Sequence, residues 1–195
     1  MNKFLDERGL ISPVDINHPM DRDNRSPYKL DITQFVDRFG KTVERLDLLD
    51  LFLDYRKTLH ESGIFIYKQW VDGSFCEDCE KLRNRHPRDI DVVSFYSIFD
   101  ENLFSQGSEK IEPDTAKKLF NVDSYFILIP TPSNNNDDYI NNQLLLISNT
   151  SYWYSAWSHT RNGEWKGFIE LDKFSTDNYN KAKRLITNKR SEING

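Results

Sequence analysis

Apolar residues recur every three or four positions in two segments near the start of the chain, and this spacing predicts amphipathic helices. Asp31 is a suitable N-cap for the first helix, and Gly40 is a suitable end for it. The second helix is predicted at about residues 42–61 and stops before Gly63. Its apolar positions, which fall mostly on one side, are Val43, Leu46, Leu49, Leu53 and Leu59.

Short runs of β-branched and aromatic residues predict strands. Three of them cover residues 64–71 (IFIYKQWV), 90–95 (IDVVSF) and 124–129 (SYFILI). A fourth strand is predicted at residues 144–147 (LLLI). A short helix over residues 115–120, which Pro113 can begin, separates the second and third strands.

The C-terminal part of the chain predicts a loop, a hairpin and a helix. Residues 131–142 (TPSNNNDDYINN) are polar and predict the loop. Asn162-Gly163 is a strong hairpin signal, with predicted strands at residues 152–160 and 164–171 on either side. Residues 177–189 predict a basic surface helix.

This order of elements predicts an α/β (α+β) protein with a small mixed β-sheet flanked by helices, extended by the C-terminal β-hairpin and helix. Residues 1–28 contain three prolines and little periodicity, so we expect an extended N-terminal arm. Residues 29–195 then form the domain, since a chain of 195 residues is long enough to bury one sizeable core.

Composition narrows the expected location and partners. The chain has no apolar run of membrane-spanning length and no signal-peptide pattern at its N-terminus, so we expect a cytoplasmic protein with no membrane contact. The net charge of −5 argues against a general nucleic-acid binder. Cys76 and Cys79 are the only cysteines, and a structural zinc needs four ligands, so we interpret them as two reduced thiols in a loop.

The candidate ligand-binding and metal-binding residues are concentrated in residues 70–96, WVDGSFCEDCEKLRNRHPRDIDVVSFY. Gly73 allows the backbone to turn sharply and to approach a ligand, and Ser74 offers a hydroxyl and an N–H to a phosphate oxygen. Asp89 and Asp91 lie two residues apart at a strand, so their side chains point to one face. Two carboxylates there would repel each other unless a cation lay between them, and Mg²⁺ prefers such oxygen ligands.

The combination of Gly73-Ser74, a spacer, and Asp89-Ile90-Asp91 resembles the nucleotidyltransferase superfamily of the DNA polymerase beta type. The resemblance implies a nucleotidyltransferase fold, an NTP as donor substrate and Mg²⁺, with two ions expected. It also implies a third carboxylate on a neighbouring strand, for which Asp123 is the candidate. The catalytic and metal-binding residues would then be Asp89, Asp91 and Asp123.

A wider resemblance is to an uncharacterised bacterial family of nucleotidyltransferase-like proteins. It rests on residues 26–64 (SPYKLDITQFVDRFGKTVERLDLLDLFLDYRKTLHESGI), QWVDGSF, RDIDVV and RNGEWKGFIEL, and spans most of residues 9–171. It implies no particular substrate. Small enzymes of the superfamily include toxin–antitoxin and phage-defence proteins that modify RNA ends or protein hydroxyls, and aminoglycoside-modifying transferases, so an RNA or a protein is the expected acceptor.

The spacer between Ser74 and Asp89 is longer and more charged than is usual in that superfamily. Its cations could grip a triphosphate or a nucleic-acid backbone, or form a solvated loop; they are Arg83, Arg85, His86 and Arg88. We take Arg88, next to Asp89, as a nucleotide-binding residue together with Gly73 and Ser74. The aromatic residues of the predicted hairpin could stack on a base, although packing is their commoner role; they are Tyr152, Trp153, Tyr154, Trp157 and Trp165.

Plainer interpretations of the same residues stay open. Asp89 and Asp91 could be a solvated pair, Asp123 a turn residue and Ser74 a helix cap. The alternative function is a catalytically silent nucleotidyltransferase-fold module that binds a partner protein, as an antitoxin-like regulator does. A third possibility is an RNA-binding protein that uses the spacer arginines and the aromatic hairpin.

Overall fold

A computed structural model describes residues 5–132 and 136–195. Within those residues, five strands form a single sheet: β1 (Tyr28–Leu30), β2 (Ile64–Asp72), β3 (Ile90–Ile98), β4 (Val122–Leu128) and β5 (Ile169–Leu171). Their order across the sheet is β1-β5-β2-β3-β4. The outer pairs β1–β5 and β3–β4 are parallel, whereas β2 is antiparallel to both β3 and β5.

The described residues also form seven α-helices: α1 (Ile32–Phe39), α2 (Val43–Glu61), α3 (Cys79–Arg83), α4 (Glu101–Gly107), α5 (Pro113–Phe120), α6 (Asn136–Trp157) and α7 (Thr176–Asn194). The predicted mixed sheet flanked by helices is therefore confirmed. The Asp31 carboxylate accepts from the Gln34 N–H at the start of α1, and the Gln34 side chain accepts from the Asp31 N–H in return. This reciprocal cap explains why α1 begins where the sequence predicts it.

The two faces of the sheet pack against different helices. Side chains of α1, α2, α5 and α7 cover one face and form the main core, in which Phe35, Phe52 and Val92 are fully buried. The opposite face carries a second core whose residues are Trp70, Val93, Phe95, Ile127, Trp157 and Phe168. Trp157 is the contribution of α6, so this helix covers the second face.

Two of the predicted C-terminal elements are wrong. Residues 144–147 lie within α6 and form no strand, because a run of four apolar residues suits a helix as well as a strand. The hairpin around Asn162-Gly163 is also absent: residues 152–157 belong to α6, and a single antiparallel bridge joins His159 and Trp165. The predicted polar loop at residues 131–142 falls partly on α6 and partly, at residues 133–135, outside the described residues.

The predicted C-terminal helix and three of the predicted strands are confirmed at their predicted positions. The predicted C-terminal helix corresponds to α7, and the strands predicted at residues 64–71, 90–95 and 124–129 correspond to β2, β3 and β4. The N-terminal segment before β1 packs on the domain: Leu10 and Ile11 are buried, and the Ile11 carbonyl accepts from the Gly167 N–H at 2.6 Å. No helix in the described part of the chain has the length and apolar character needed to span a membrane.

Candidate functional site

Three predicted carboxylates meet at one end of the parallel pair β3–β4. Asp91 and Asp123 occupy the same register position on the two strands, so they are neighbours across the pair. Asp89 lies one residue before β3 and points to the same face as Asp91. This is the face of the second core, opposite to the one that Ile90 and Val92 bury.

A lysine from α5 lies between two of these carboxylates. The Lys117 ammonium donates to Asp123 at 2.6 Å and also to Asp89. Partial burial, the largest single effect, disfavours the charged form, but the hydrogen bonds to both carboxylates outweigh it, so the Lys117 pKa is raised. The sequence does not single out Lys117; its only local signal is its position three residues before the end of the helix that leads into β4.

Of the three site carboxylates, Asp91 is the one whose negative charge is least offset by its surroundings. Burial, followed by the negative charges of Asp89 and Asp123, raises the pKa of Asp91 to about 6. Lys117 and Lys166 act in the opposite direction but do not offset these effects. The site therefore holds an excess of negative charge that a bound cation would neutralise.

We call Asp89, Asp91 and Asp123 the acidic cluster. Gly73 brings the backbone that follows β2 into contact with this cluster. It has a φ of +75° and a ψ of −166°, a region that only glycine adopts readily. A Cβ at this position would lie 1.7 Å from Asp91 Oδ2, so the close approach requires glycine on steric grounds as well. Ser74 follows at the start of a 3-10 turn (Ser74–Cys76) and is half-buried, and no side-chain cap bond forms at this turn.

A buried group of ion-paired side chains holds the residues on both sides of Gly73. Asp72, the last residue of β2, pairs with Asp91 across the antiparallel strands. Its carboxylate accepts from the Lys166 ammonium at 2.8 Å, and the same ammonium donates to Glu77 at 3.1 Å. All three side chains are almost fully buried. Lys166 thus fastens the segment after β2 to the segment before β5, a link of 94 residues along the chain.

Arg45 of α2 fixes the first half of the spacer. Its guanidinium donates to the carbonyls of Phe75 and Glu77 at 2.7 Å each, and it also pairs with Glu80. These bonds hold the chain after Ser74 in one path, because a guanidinium has several donors in a fixed planar arrangement. The sequence does not single out Arg45, which is there one of several charged residues of an amphipathic helix.

The spacer cations divide into two groups. Arg83 pairs with Glu77 at 2.7 Å, and His86 lies 3.2 Å from Glu80. These two are engaged within the fold. Arg85 and Arg88 are exposed, and the described contacts do not join Arg88 to any of the three site carboxylates. Arg88 remains the spacer cation next in sequence to Asp89, and its role in nucleotide binding stays a prediction.

Metal-binding groups of three or more His, Cys, Asp or Glu side chains are absent from the part of the chain that the structure describes. At the acidic cluster, the Lys117 ammonium takes the position between Asp89 and Asp123 that a cation would otherwise share. Carboxylate oxygens are ligands that Mg²⁺ prefers, but with Lys117 between Asp89 and Asp123 the three carboxylates are not arranged as a metal-binding group. Cys76 and Cys79 are buried free thiols and lie within the fold, not in a loop exposed to solvent.

Comparison with known proteins identifies the family. Residues 3–172 match a family of unknown function, DUF6932, which covers most of the chain. The protein belongs to this family. No curated protein and no solved structure matches it. The matched residues include the whole acidic cluster, the Gly73 turn and Lys166, and end just after β5.

Proposed function

We propose that this protein is a cytoplasmic Mg²⁺-dependent nucleotidyltransferase that moves an NMP from an NTP to an acceptor hydroxyl on RNA or protein. The observation that carries the proposal is the meeting of Asp89, Asp91 and Asp123 at one end of β3–β4, directly against the glycine turn after β2. The resemblance of these residues to the polymerase beta-type superfamily supplies the reaction class. We propose a toxin–antitoxin or phage-defence setting, in which some small enzymes of that superfamily act.

Each residue has a definite role in this proposal. Asp89, Asp91 and Asp123 hold Mg²⁺, which when bound neutralises charge on the triphosphate and on the leaving pyrophosphate. Gly73 lets the backbone approach the phosphates, and Ser74 donates to a phosphate oxygen. Asp123 also accepts the proton of the attacking hydroxyl, whose oxygen bonds to the α-phosphorus as the bond to the β-phosphate oxygen breaks.

In this proposal, Arg88 and Lys117 supply positive charge, Arg88 to the phosphates and Lys117 to the carboxylates. Arg88 is exposed and can add positive charge to the phosphate site. Lys117 offsets part of the negative charge of Asp89 and Asp123 in the free protein. Binding of a divalent cation by these two carboxylates then requires the Lys117 ammonium to leave at least one of them, so we expect metal and lysine to compete.

The same lysine favours one rival function. A nucleotidyltransferase-fold module that has lost catalysis would keep its acidic cluster stable by an internal cation, and Lys117 provides one. Such a module would act as a regulator through a partner protein and would need neither Mg²⁺ nor an NTP.

A thermal-shift titration separates the two functions. The four NTPs are added one at a time with Mg²⁺ or with EDTA, to the wild type, to Asp89→Asn and to the control Asp114→Asn, which changes an exposed carboxylate on α5. We expect at least one NTP to raise the melting temperature only with Mg²⁺, in the wild type and the control but not in Asp89→Asn. The absence of any shift would contradict the enzyme and favour the silent module.

A transfer assay follows with the NTP that binds. The α-labelled nucleotide is incubated with RNA and protein fractions, and pyrophosphate release is measured in parallel. Transfer that is lost in Asp91→Asn supports the proposed reaction. Binding without any transfer or pyrophosphate release would support the regulator instead.

A further inference from the structure

Exposed aromatic side chains lie beside the acidic cluster, at the edge of the sheet. Tyr125 is two residues after Asp123 on β4, so the two side chains lie on the same face about 7 Å apart along the strand. Its ring is 4.2 Å from the ring of Trp153 on α6, centre to centre. Tyr152 is next to Trp153, with ring centres 5.2 Å apart. We call Tyr125, Tyr152 and Trp153 the aromatic patch.

The aromatic patch remains open although it adjoins the second core. Tyr152 is 63% exposed and Tyr125 is 39% exposed, whereas Trp153 is half-buried and supports both. Trp153 also packs against Trp157, whose ring centre is 5.5 Å away, and Trp157 is a buried member of that core. A rigid support of this kind holds the two tyrosine rings in place while their surfaces stay accessible to solvent.

The aromatic patch and the acidic cluster belong to one continuous surface. Tyr125 and Asp123 lie on the same face of β4, and Asp91 is the neighbour of Asp123 on β3, so the tyrosine ring borders the carboxylates directly. The glycine turn lies on the other side of the cluster, after β2. From β2 through β3 to β4 is two strand spacings, about 10 Å. The order across this surface is thus phosphate-binding turn, carboxylates, aromatic rings.

We infer that the aromatic patch binds the base of the nucleotide whose phosphates the acidic cluster and the glycine turn hold. The inference rests on the proposed function and adds a base-binding subsite to it. Any base can stack on Tyr152 and Tyr125, since every base has a π-face. The larger ring system of a purine covers more of two neighbouring tyrosines, so ATP and GTP bind more tightly than CTP and UTP.

Isothermal titration calorimetry with two ligands tests the subsite apart from the phosphate site. Mg²⁺–ATP carries a base, and Mg²⁺–tripolyphosphate carries the same phosphate chain without one. Tyr152→Ala removes the more exposed ring, and Tyr125→Leu keeps an apolar contact with Trp153. Tyr67→Ala is the matched control, because Tyr67 is an exposed tyrosine five residues from the Asp72 end of β2.

The expected result is a selective loss. Tyr152→Ala weakens Mg²⁺–ATP binding by roughly 5- to 150-fold, in keeping with the loss of one stacked ring, while Mg²⁺–tripolyphosphate binding is unchanged. The control binds both ligands as the wild type does. Unchanged ATP affinity in both Tyr152→Ala and Tyr125→Leu overturns the base subsite and leaves the proposed function standing. Failure of the wild type to bind either ligand overturns both.

Discussion

Gly73 and Asp91 approach each other so closely that a side chain at position 73 would have to displace the Asp91 carboxylate. A Cβ there would lie 1.7 Å from Asp91 Oδ2, and the backbone has a positive φ of 75°. Either feature alone disfavours a side chain, and together they place the turn after β2 directly on a site carboxylate. The glycine is therefore required by the acidic cluster and not only by the turn.

Gly73→Ala should cost stability and displace Asp91. We expect a loss of about 2–4 kcal/mol in the free energy of unfolding, since the backbone region alone costs about 1–3 kcal/mol for a residue with a Cβ and the clash adds to it. Denaturant titration measures this loss. Gly163→Ala is the control, because its φ is also positive, +80°, but a Cβ added there would meet nothing within 4 Å. Equal losses in the two variants would show that the contact with Asp91 is unimportant.

Lys117→Gln should reveal whether the acidic cluster accepts a metal. Without the ammonium, three carboxylates repel one another, so the melting temperature in EDTA should fall by several degrees. Millimolar Mg²⁺ should restore stability, and by a larger increment than in the wild type, because lysine and metal no longer compete. Thermal unfolding with and without Mg²⁺ measures both effects.

The control for this experiment is Lys118→Gln, which changes the adjacent exposed lysine of α5. It should respond to Mg²⁺ as the wild type does. If Mg²⁺ fails to stabilise Lys117→Gln, the carboxylates do not form a cation site, and the role of Lys117 is structural.

Local sequence signals were sufficient for most of the fold. The caps at Asp31 and Gly40 and the strand runs of β2, β3 and β4 specify their structure within a few residues. The same is true of the cluster residues Asp89 and Asp91, which a strand of alternating side chains places together. These features depend on neighbours in the chain and can be predicted from them.

The missed features depend on contacts between distant parts of the chain. Residues 144–147 and 152–157 form a helix because Trp153 and Trp157 pack on the second face of the sheet, which no local pattern specifies. The Asn162-Gly163 signal did mark a tight turn, since the Gly163 N–H donates to the Thr160 carbonyl at 2.9 Å. Lys117 pairs with Asp89, 28 residues away, as well as with Asp123, six residues away, and Lys166 pairs with Asp72, 94 residues away, so these ion pairs depend on how the chain folds.

The pKa of Asp91 predicts a specific pH dependence of stability. It rises from 3.8 to about 6 on folding, so between these values the folded protein binds a proton that the unfolded chain has lost. The contribution of Asp91 to stability is therefore present below about pH 4 and is lost as the pH rises through 6. Asp91→Asn removes this loss and should be more stable than the wild type at pH 7 by about 3 kcal/mol.

Denaturant unfolding at pH 4, 5, 6 and 7 without metal tests this prediction. The stability difference between Asp91→Asn and the wild type should grow over that range, while Glu109→Gln, at an exposed carboxylate, should show no such trend. A difference that is constant with pH would mean that Asp91 is ionised throughout. Added Mg²⁺ should reduce the difference at pH 7, since a bound cation favours the ionised wild-type carboxylate.

Loss of Lys166 should destabilise the fold strongly. Lys166 is 5% exposed and is the ammonium that Asp72 and Glu77 share. Lys166→Met leaves Asp72 buried without its cation and leaves Glu77 with Arg83 alone, and we expect a loss of about 3–5 kcal/mol in the free energy of unfolding. Lys173→Met, at an exposed lysine beyond β5, should change it by less than about 0.5 kcal/mol.

Combining Lys166→Met with Asp72→Asn tests the cause of that loss. Because the double variant removes one buried negative charge along with the positive one, it should recover at least about 1 kcal/mol relative to Lys166→Met alone. Denaturant titration of the wild type, both single variants and the double variant gives the coupling energy. Additive effects of the two substitutions would mean that Lys166 stabilises the protein through packing of its aliphatic stem. A recovery would show instead that its ammonium holds the turn at Gly73 in place by charge.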